Sequence, residues 1–314
     1  MMDLLLLGNG AMVPLPNRPL SSLLLRSRGS LVLFDCGEGT QVEMRRYHWG
    51  FRKLDAICLT HMHADHVAGL PGLLLTVANS GRTEPMHLLA PTGSADVLRG
   101  LLVIVPGLPF EVVLHEMAPG AKVELPNGLQ VRAGEAAHRI SCVAYRVDLH
   151  RAPAFDPDRA EAQGVPRAMW SLLQRGERVS ADGRVVEPAD VLGSQRRGVS
   201  LVFATDTRPI PALGALAADA DLLVCEATYL DDADAAKANE WGHMTLRQAT
   251  QIARDAQVGA LWTTHFGAGV IDATAHQTDA EALFPATTMG FPGLQGKITF
   301  DAGYQAIDGR ESKS

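Results

Sequence analysis

Apolar residues along this chain gather in short runs, bounded by Gly, Pro, Asp and Asn. They lie at Leu4–Leu7, Ser22–Arg26, Leu31–Phe34, Ala56–Leu59, His87–Ala90, Glu111–Leu114, Val131–Ala133, Val143–Val147, Leu201–Ala204, Leu222–Cys225, Ala260–Thr263 and Lys297–Phe300. Runs of this length between turn residues predict buried strands. Between some of them the spacing becomes helical, over Gly39–Arg46, Gly93–Leu102, Ile210–Ala218, Thr245–Ala256 and Thr274–Phe284. The fourth of these carries a Thr where a helix cap belongs. The early strands follow one another as hairpins do, and the later ones alternate with helices. That order predicts an α/β chain with two mixed sheets packed into one core and helices outside.

One stretch breaks the rhythm. From about residue 149 to 198 the chain turns polar, with Pro153, Pro157, Pro166 and Pro188 and the basic pieces Arg175-Gly176-Glu177-Arg178 and Arg196-Arg197-Gly198. The expected organisation is a single domain over residues 1–314 with an inserted arm at about 149–198. Such an arm serves as a solvated excursion, a dimer contact or a substrate grip.

With 314 residues the chain can bury a large core without covalent staples. Cys36, Cys58, Cys142 and Cys225 are scattered singly, mostly inside apolar runs, and read as buried free thiols of a reducing cytoplasm. The opening Met1-Met2-Asp3-Leu4-Leu5-Leu6-Leu7-Gly8 has no basic leader, and no apolar run is long enough to span a membrane. A cytoplasmic location is therefore expected. The formal net charge of −7 supplies no global attraction to nucleic acid, so a polyanionic substrate would have to meet local basic groups or bound cations.

The chemistry concentrates in Thr60-His61-Met62-His63-Ala64-Asp65-His66, directly behind the apolar Asp55-Ala56-Ile57-Cys58-Leu59. In an extended chain, His61 and His63 project to the same side and can share one metal ion. Asp65 and His66 suit a second ion of the zinc, manganese or iron type. Three of the 11 histidines fall in this window, which argues against ordinary loop residues. Gly69-Leu70-Pro71-Gly72 then reads as a bend. Further ligands are expected at the ends of later strands: His138 after Val131–Ala133, Asp206 after Leu201–Ala204, and His265 after Leu261-Trp262-Thr263-Thr264. A carboxylate at Asp206 could bridge two ions.

These residues resemble the metallo-β-lactamase superfamily, and within it the ribonuclease Z family of tRNA 3′-processing endonucleases. The resemblance rests on Leu6-Leu7-Gly8-Asn9-Gly10, Asn17-Arg18 with Ser21-Ser22, Phe34-Asp35-Cys36-Gly37-Glu38-Gly39-Thr40-Gln41, Thr60–His66 and Gly69-Leu70-Pro71-Gly72. It continues through Gly164-Val165-Pro166, Arg175-Gly176-Glu177 and Asp182-Gly183-Arg184 to Asp206-Thr207-Arg208. It implies an αββα sandwich with two mixed sheets, flanking helices and two zinc ions per subunit, manganese or iron being alternatives. His61, His63 and His138 would hold one ion, Asp65, His66 and His265 the other, and Asp206 would bridge them. It also implies a homodimer in which the arm grips the partner's tRNA.

The function implied is a metal-dependent phosphodiesterase that removes the 3′ trailer of precursor tRNA by a two-metal hydroxide mechanism. Asp65 would take the proton of the nucleophile, and Glu226 would hold His243 ready to protonate the leaving oxygen. Three positions depart from the family pattern: Cys225 stands before Glu226 in place of His, Phe266-Gly267-Ala268-Gly269 replaces an Arg-containing loop, and Arg167-Ala168 replaces Gly-Pro in the arm. They keep open a hydrolase of a smaller substrate: a cyclic nucleotide or other phosphodiester, a sulfate ester, a lactone or a β-lactam. A binding protein with a silent metal site is a third reading. The full ligand set beside a Glu–His pair counts against it.

Overall fold

The Leu-rich runs pair edge to edge into two sheets. The structure, a computed structural model, describes residues 1–105, 107–181 and 183–307; Asp182, one of the family-like positions, lies outside them. In chain order the strands are β1 Met2–Gly8, β2 Ser22–Ser27, β3 Ser30–Phe34, β4 Leu54–Cys58, β5 Met86–Pro91, β6 Val112–Met117, β7 Lys122–Glu124, β8 Leu129–Glu135 and β9 Val143–Arg151. They continue as β10 Val179–Ala181, β11 Arg184–Val186, β12 Arg196–Ala204, β13 Leu222–Glu226, β14 Leu261–Thr264, β15 Thr287–Met289, β16 Gln295–Thr299 and β17 Gly303–Ile307. One sheet runs β17-β16-β1-β2-β3-β4-β5-β6 and the other β15-β14-β13-β12-β9-β8-β7. Both are mixed. β3 to β6 are parallel while β1, β2 and β16 pair antiparallel, and β12 to β15 are parallel while β7, β8 and β9 are antiparallel.

Alternation along each strand explains why the apolar runs are continuous. Leu4 and Leu6 of β1 face the space between the sheets, with Phe34, Tyr145, Phe203 and Trp262. Leu5 and Leu7 face the other way, into a layer with Met44, Leu70, Leu74 and Val77. The second sheet repeats the arrangement, Val202, Leu223 and Leu261 packing against Leu213, Leu216, Ala249 and Ala253. Strands covered on both faces need side chains that are apolar throughout, so periodicity of two disappears from the sequence. This is the expected αββα layering.

Helices cover the outer faces at Thr40–Arg46, Leu70–Asn79, Ala95–Leu102, Pro211–Ala217, Leu246–Asp255 and Gln277–Leu283. Thr245 caps the fifth through a reciprocal capping box with Gln248. The segment Gly69–Gly72, read as a bend, instead opens the helix Leu70–Asn79, with Pro71 in its first turn. Proline there gives up an N–H that has no helical partner in any case, so it starts a helix as readily as it breaks one.

Residues 150–198 form a unit of their own. It contains the β10–β11 hairpin and the helices Pro157–Ala162, Trp170–Gln174 and Pro188–Val191 around a small core of Ala160, Val165, Leu173, Val179, Ala181, Val186 and Val191. The segment read as polar thus carries enough apolar residues to pack on itself. Arg167, where the family pattern has Gly, pairs with Glu161 at 2.9 Å and lies over the Trp170 ring.

Candidate metal centre

The parallel strands of both sheets deliver polar residues from their C-terminal ends, where an open α/β sheet offers a ligand site. Asp35 follows β3, Thr60 and His61 follow β4, Asp206 follows β12, Glu226 closes β13 and His265 follows β14. Asp35, Asp206 and His265 each have a left-handed backbone, with φ of 56°, 49° and 59°. A non-glycine residue there costs on the order of 1–3 kcal/mol. What the turn provides is a side chain aimed across the strand ends. Gly37 lets the segment bearing Asp65 come close: a Cβ on Gly37 would stand 2.1 Å from the Asp65 carbonyl oxygen. Backbone bonds from Cys36 N to His66 O and from Gly69 N to Cys36 O fasten the two segments together.

The side chains named from the sequence come together in two groups. The ligand atoms of His61, His63, His138 and Asp206 lie within 4.8 Å of one another, as do those of Asp65, His66 and His265. Asp206 stands between them: Oδ2 is 3.6 Å from His61 Nε2 and Oδ1 is 3.3 Å from His66 Nε2 and 3.0 Å from His265 Nε2. His243 also falls within 4.8 Å of Asp206 and His265.

Four imidazoles are oriented in the same way. Nδ1 of His61 meets Thr60 Oγ1 at 3.0 Å, that of His66 meets Asp35 Oδ2 at 2.7 Å, that of His138 meets the Gly242 carbonyl at 3.0 Å, and that of His265 meets Thr228 Oγ1 at 3.1 Å. With Nδ1 engaged outward, Nε2 points into the cluster. Metal-binding histidines are held by this device, which fixes ring orientation and raises ligand basicity.

The donor set fits divalent cations, and the structure shows why. His66 Nε2, His265 Nε2 and Asp206 Oδ1 are buried and have no hydrogen-bond partner. Orphaned polar atoms of that kind are costly unless a ligand satisfies them. Charge points the same way. Burial works against charging His265, yet Asp206 and then Asp65 overcome it and lift the imidazole to about 10; His66 is raised well above its ordinary value against the same opposition, by Asp206 and Asp35. Burial opposes the carboxylate of Asp206, which His265, His66 and His61 nevertheless hold well below the usual range. Carboxylates packed this closely demand positive charge among them. Imidazole and carboxylate donors suit zinc, manganese and iron.

Asp65 Oδ2 accepts from the backbone N–H of Met12 at 2.8 Å, which fixes the carboxylate at the cavity wall. Glu226 is fully buried. Its Oε1 accepts from Thr207 N at 2.6 Å and lies 3.0 Å from His243 Nδ1, while its Oε2 accepts from Thr228 Oγ1 at 2.6 Å. His243 thereby keeps its other nitrogen for the cavity. The contributors that the sequence reading does not mark include Asp35, Thr228, Arg139 and Trp241. Asp35 ends the apolar run Leu31–Phe34 as Asp206 ends Leu201–Ala204, a parallel that could have revealed it. Thr228 follows Glu226 by two positions and carries no such mark. Arg139 and Trp241 line a cavity of about 310 Å³ together with the ligand cluster.

Sandwich and site together define a metallo-β-lactamase-fold protein. A family description, "Beta-lactamase superfamily domain", matches residues 180–266, and "Anti-Pycsar protein Apyc1" matches residues 2–102. Ribonuclease Z of Lachnospira eligens is 38% identical over 301 residues, covering 96% of this chain and 99% of that protein. Ribonuclease Z of Clostridium tetani is 41% identical over 92% of this chain and 96% of its own. The crystal structure of human tRNase Z, short form, superposes with a TM-score of 0.66 at 25% identity, covering 95% of this chain and 99% of that one. The chain belongs to the ribonuclease Z family, whose members are metal-dependent endoribonucleases.

Proposed function

We propose that this protein removes the 3′ trailer of precursor tRNA by hydrolysing one phosphodiester bond. The observation that carries the reading is Asp206 placed between two ligand groups and in reach of both, with His243 beside it and Glu226 behind His243, in a chain that matches ribonuclease Z along its length. His61, His63, His138 and Asp206 would hold one cation and Asp65, His66, His265 and Asp206 the other; the histidine-rich set favours zinc. Divalent cations, when bound, supply Lewis acidity toward water and toward the phosphoryl oxygens.

The remaining work falls to side chains of the chain. Asp65, fixed by the Met12 N–H, takes the proton of the attacking water. Water attacks phosphorus in line and the bond to the ribose 3′-oxygen breaks. His243, held by Glu226, gives its proton to that oxygen. The products are a tRNA with a free 3′-hydroxyl and a trailer with a 5′-phosphate. Within the same reading the 150–198 unit serves as the arm that grips tRNA, the protein acts as a homodimer, and its place is the cytoplasm. Among the described residues no helix is long and apolar enough to cross a membrane.

The test incubates zinc-loaded protein with a precursor tRNA bearing a 3′ trailer, beside a small activated phosphodiester, and maps the RNA ends. A single cut near the mature 3′ end is the expected result. Hydrolysis of the small diester with intact RNA would overturn the substrate assignment and leave the metal chemistry standing.

A further inference from the structure

The loop after His265, Phe266-Gly267-Ala268-Gly269, carries no arginine, and the two arginines of the nearby sequence motifs are tied to backbone carbonyls. Arg18 bonds to the carbonyls of Val270 and Ala268. Arg208 bonds to those of Ala137, Asn239 and Glu240. Arg139 differs. It is exposed, its guanidinium lies 4.8 Å from the ring centre of Trp241, and no ion pair among the described residues uses it. A ring holds the flat face of a guanidinium and leaves the in-plane N–H donors for a ligand.

Its position is set by the metal centre. His138, the preceding residue, bonds through Nδ1 to the Gly242 carbonyl, and its ring centre is 5.1 Å from that of His243. Gly242 permits this approach, since a Cβ there would stand 2.7 Å from His138 Nδ1. Two adjacent residues, His138 and Arg139, are thus docked against the segment Trp241–His243, and Arg208 ties Ala137 to residues 239–240 beneath them. Among the described residues, Arg139 is the one permanently charged cation lining the cavity of the ligand cluster.

We propose that Arg139, laid on Trp241, contacts the phosphate undergoing cleavage, supplying the cationic donor that the loop after His265 lacks. The proposal rests on the phosphodiesterase reading above. A planar fork suits the oxygens of a phosphodiester, and the contact tightens as charge builds on them in the transition state.

The test compares wild type, R139Q and R139K on a precursor tRNA and on thymidine 5′-p-nitrophenyl phosphate, which has a single phosphodiester. R139Q is expected to lose about 100-fold in kcat/KM on both substrates, and R139K to recover part of that loss, since it keeps the charge without the fork. Salt dependence of tRNA binding gives a readout independent of turnover. The slope for R139Q should fall by about 0.7–0.9, the share of one phosphate contact. Metal content should equal that of wild type in both variants. Unchanged kcat/KM on the small diester would overturn the proposal, as would loss of metal from R139Q, which would make Arg139 a support for His138. Wild-type protein that leaves tRNA intact would sink the tRNA reading alone, because the small diester still reports on Arg139.

Discussion

The carboxylate oxygen Oδ2 of Asp35 lies 2.7 Å from Nδ1 of His66, and both side chains are buried. Asp35 also accepts from the Thr60 N–H at 2.7 Å and from the hydroxyls of Thr60 and Thr205. One buried carboxylate therefore sets the His66 ring and braces the residues that precede His61 and Asp206. It is not itself among the ligand groups.

Asp35→Asn keeps the shape and removes the charge. The amide can present an N–H to His66 Nδ1 and so favour the tautomer that blocks Nε2. Metal affinity is expected to fall about 10–100-fold, read by competition with a chromophoric chelator. Wild-type affinity in a folded Asp35→Asn protein would show that the bond does not tune the ligand.

Asp206 reaches both ligand groups, with Oδ2 3.6 Å from His61 Nε2 and Oδ1 3.3 Å from His66 Nε2 and 3.0 Å from His265 Nε2, so its removal should act on both proposed ion sites at once. For Asp206→Ala the expected result is metal content near zero and loss of hydrolysis on every phosphodiester, with the fold retained by circular dichroism. Full activity in this variant would mean that the site is drawn around the wrong residues.

His243 sits within 4.8 Å of Asp206 and His265, and its Nδ1 bond to Glu226 suits a ligand as well as a proton donor, so a variant has to separate the two roles. A proton donor should be dispensable for metal binding and for substrates whose leaving group needs no proton. His243→Ala is therefore expected to retain its metal, to lose about 10²–10⁴ in kcat on RNA, and to lose far less on a p-nitrophenyl diester. Loss of metal would reassign His243 as a ligand.

Much of this arrangement is legible in the sequence, because a polar residue that interrupts an apolar strand advertises itself. His61, Asp206 and His265 are all of that kind. Their orienting partners were harder to see, since Thr228 meets His265 and Asp35 meets His66 only through the packing of separate strands. The helix Leu70–Asn79 was hidden by Pro71-Gly72, whose local preference is satisfied equally by a turn and by a first helical turn. Arg139 carries no mark in the sequence because the ring it lies on, Trp241, comes from another part of the chain.

All four cysteines are buried and unpaired. Burial pushes the thiols of Cys36, Cys58, Cys142 and Cys225 up. A raised pKa depletes the thiolate, which is the reactive form. Native protein at pH 8 should therefore resist a chromogenic disulfide reagent, and all four thiols should react once the chain is unfolded. Fast reaction of any one in the native state would place it in a part of the fold that opens.

The 150–198 unit can be removed with little strain on the chain that remains. β9 and β12 are neighbours in their sheet, and where they leave it Gln195 bonds to the Arg151 carbonyl at 3.1 Å and Arg196 to that of Ala152 at 2.7 Å. The two ends are therefore close, and a short Gly-Ser linker in place of residues 153–194 closes a small loop at little entropic cost. The excised piece has a core of its own. If the unit grips tRNA, the shortened protein should hydrolyse the small diester within a few-fold of wild type, whereas kcat/KM on precursor tRNA should drop by about 100-fold or more, the value of 2.7 kcal/mol or so of binding. Equal losses on both substrates would show that the unit supports folding or assembly. Loss on neither would leave it without a part in the reaction.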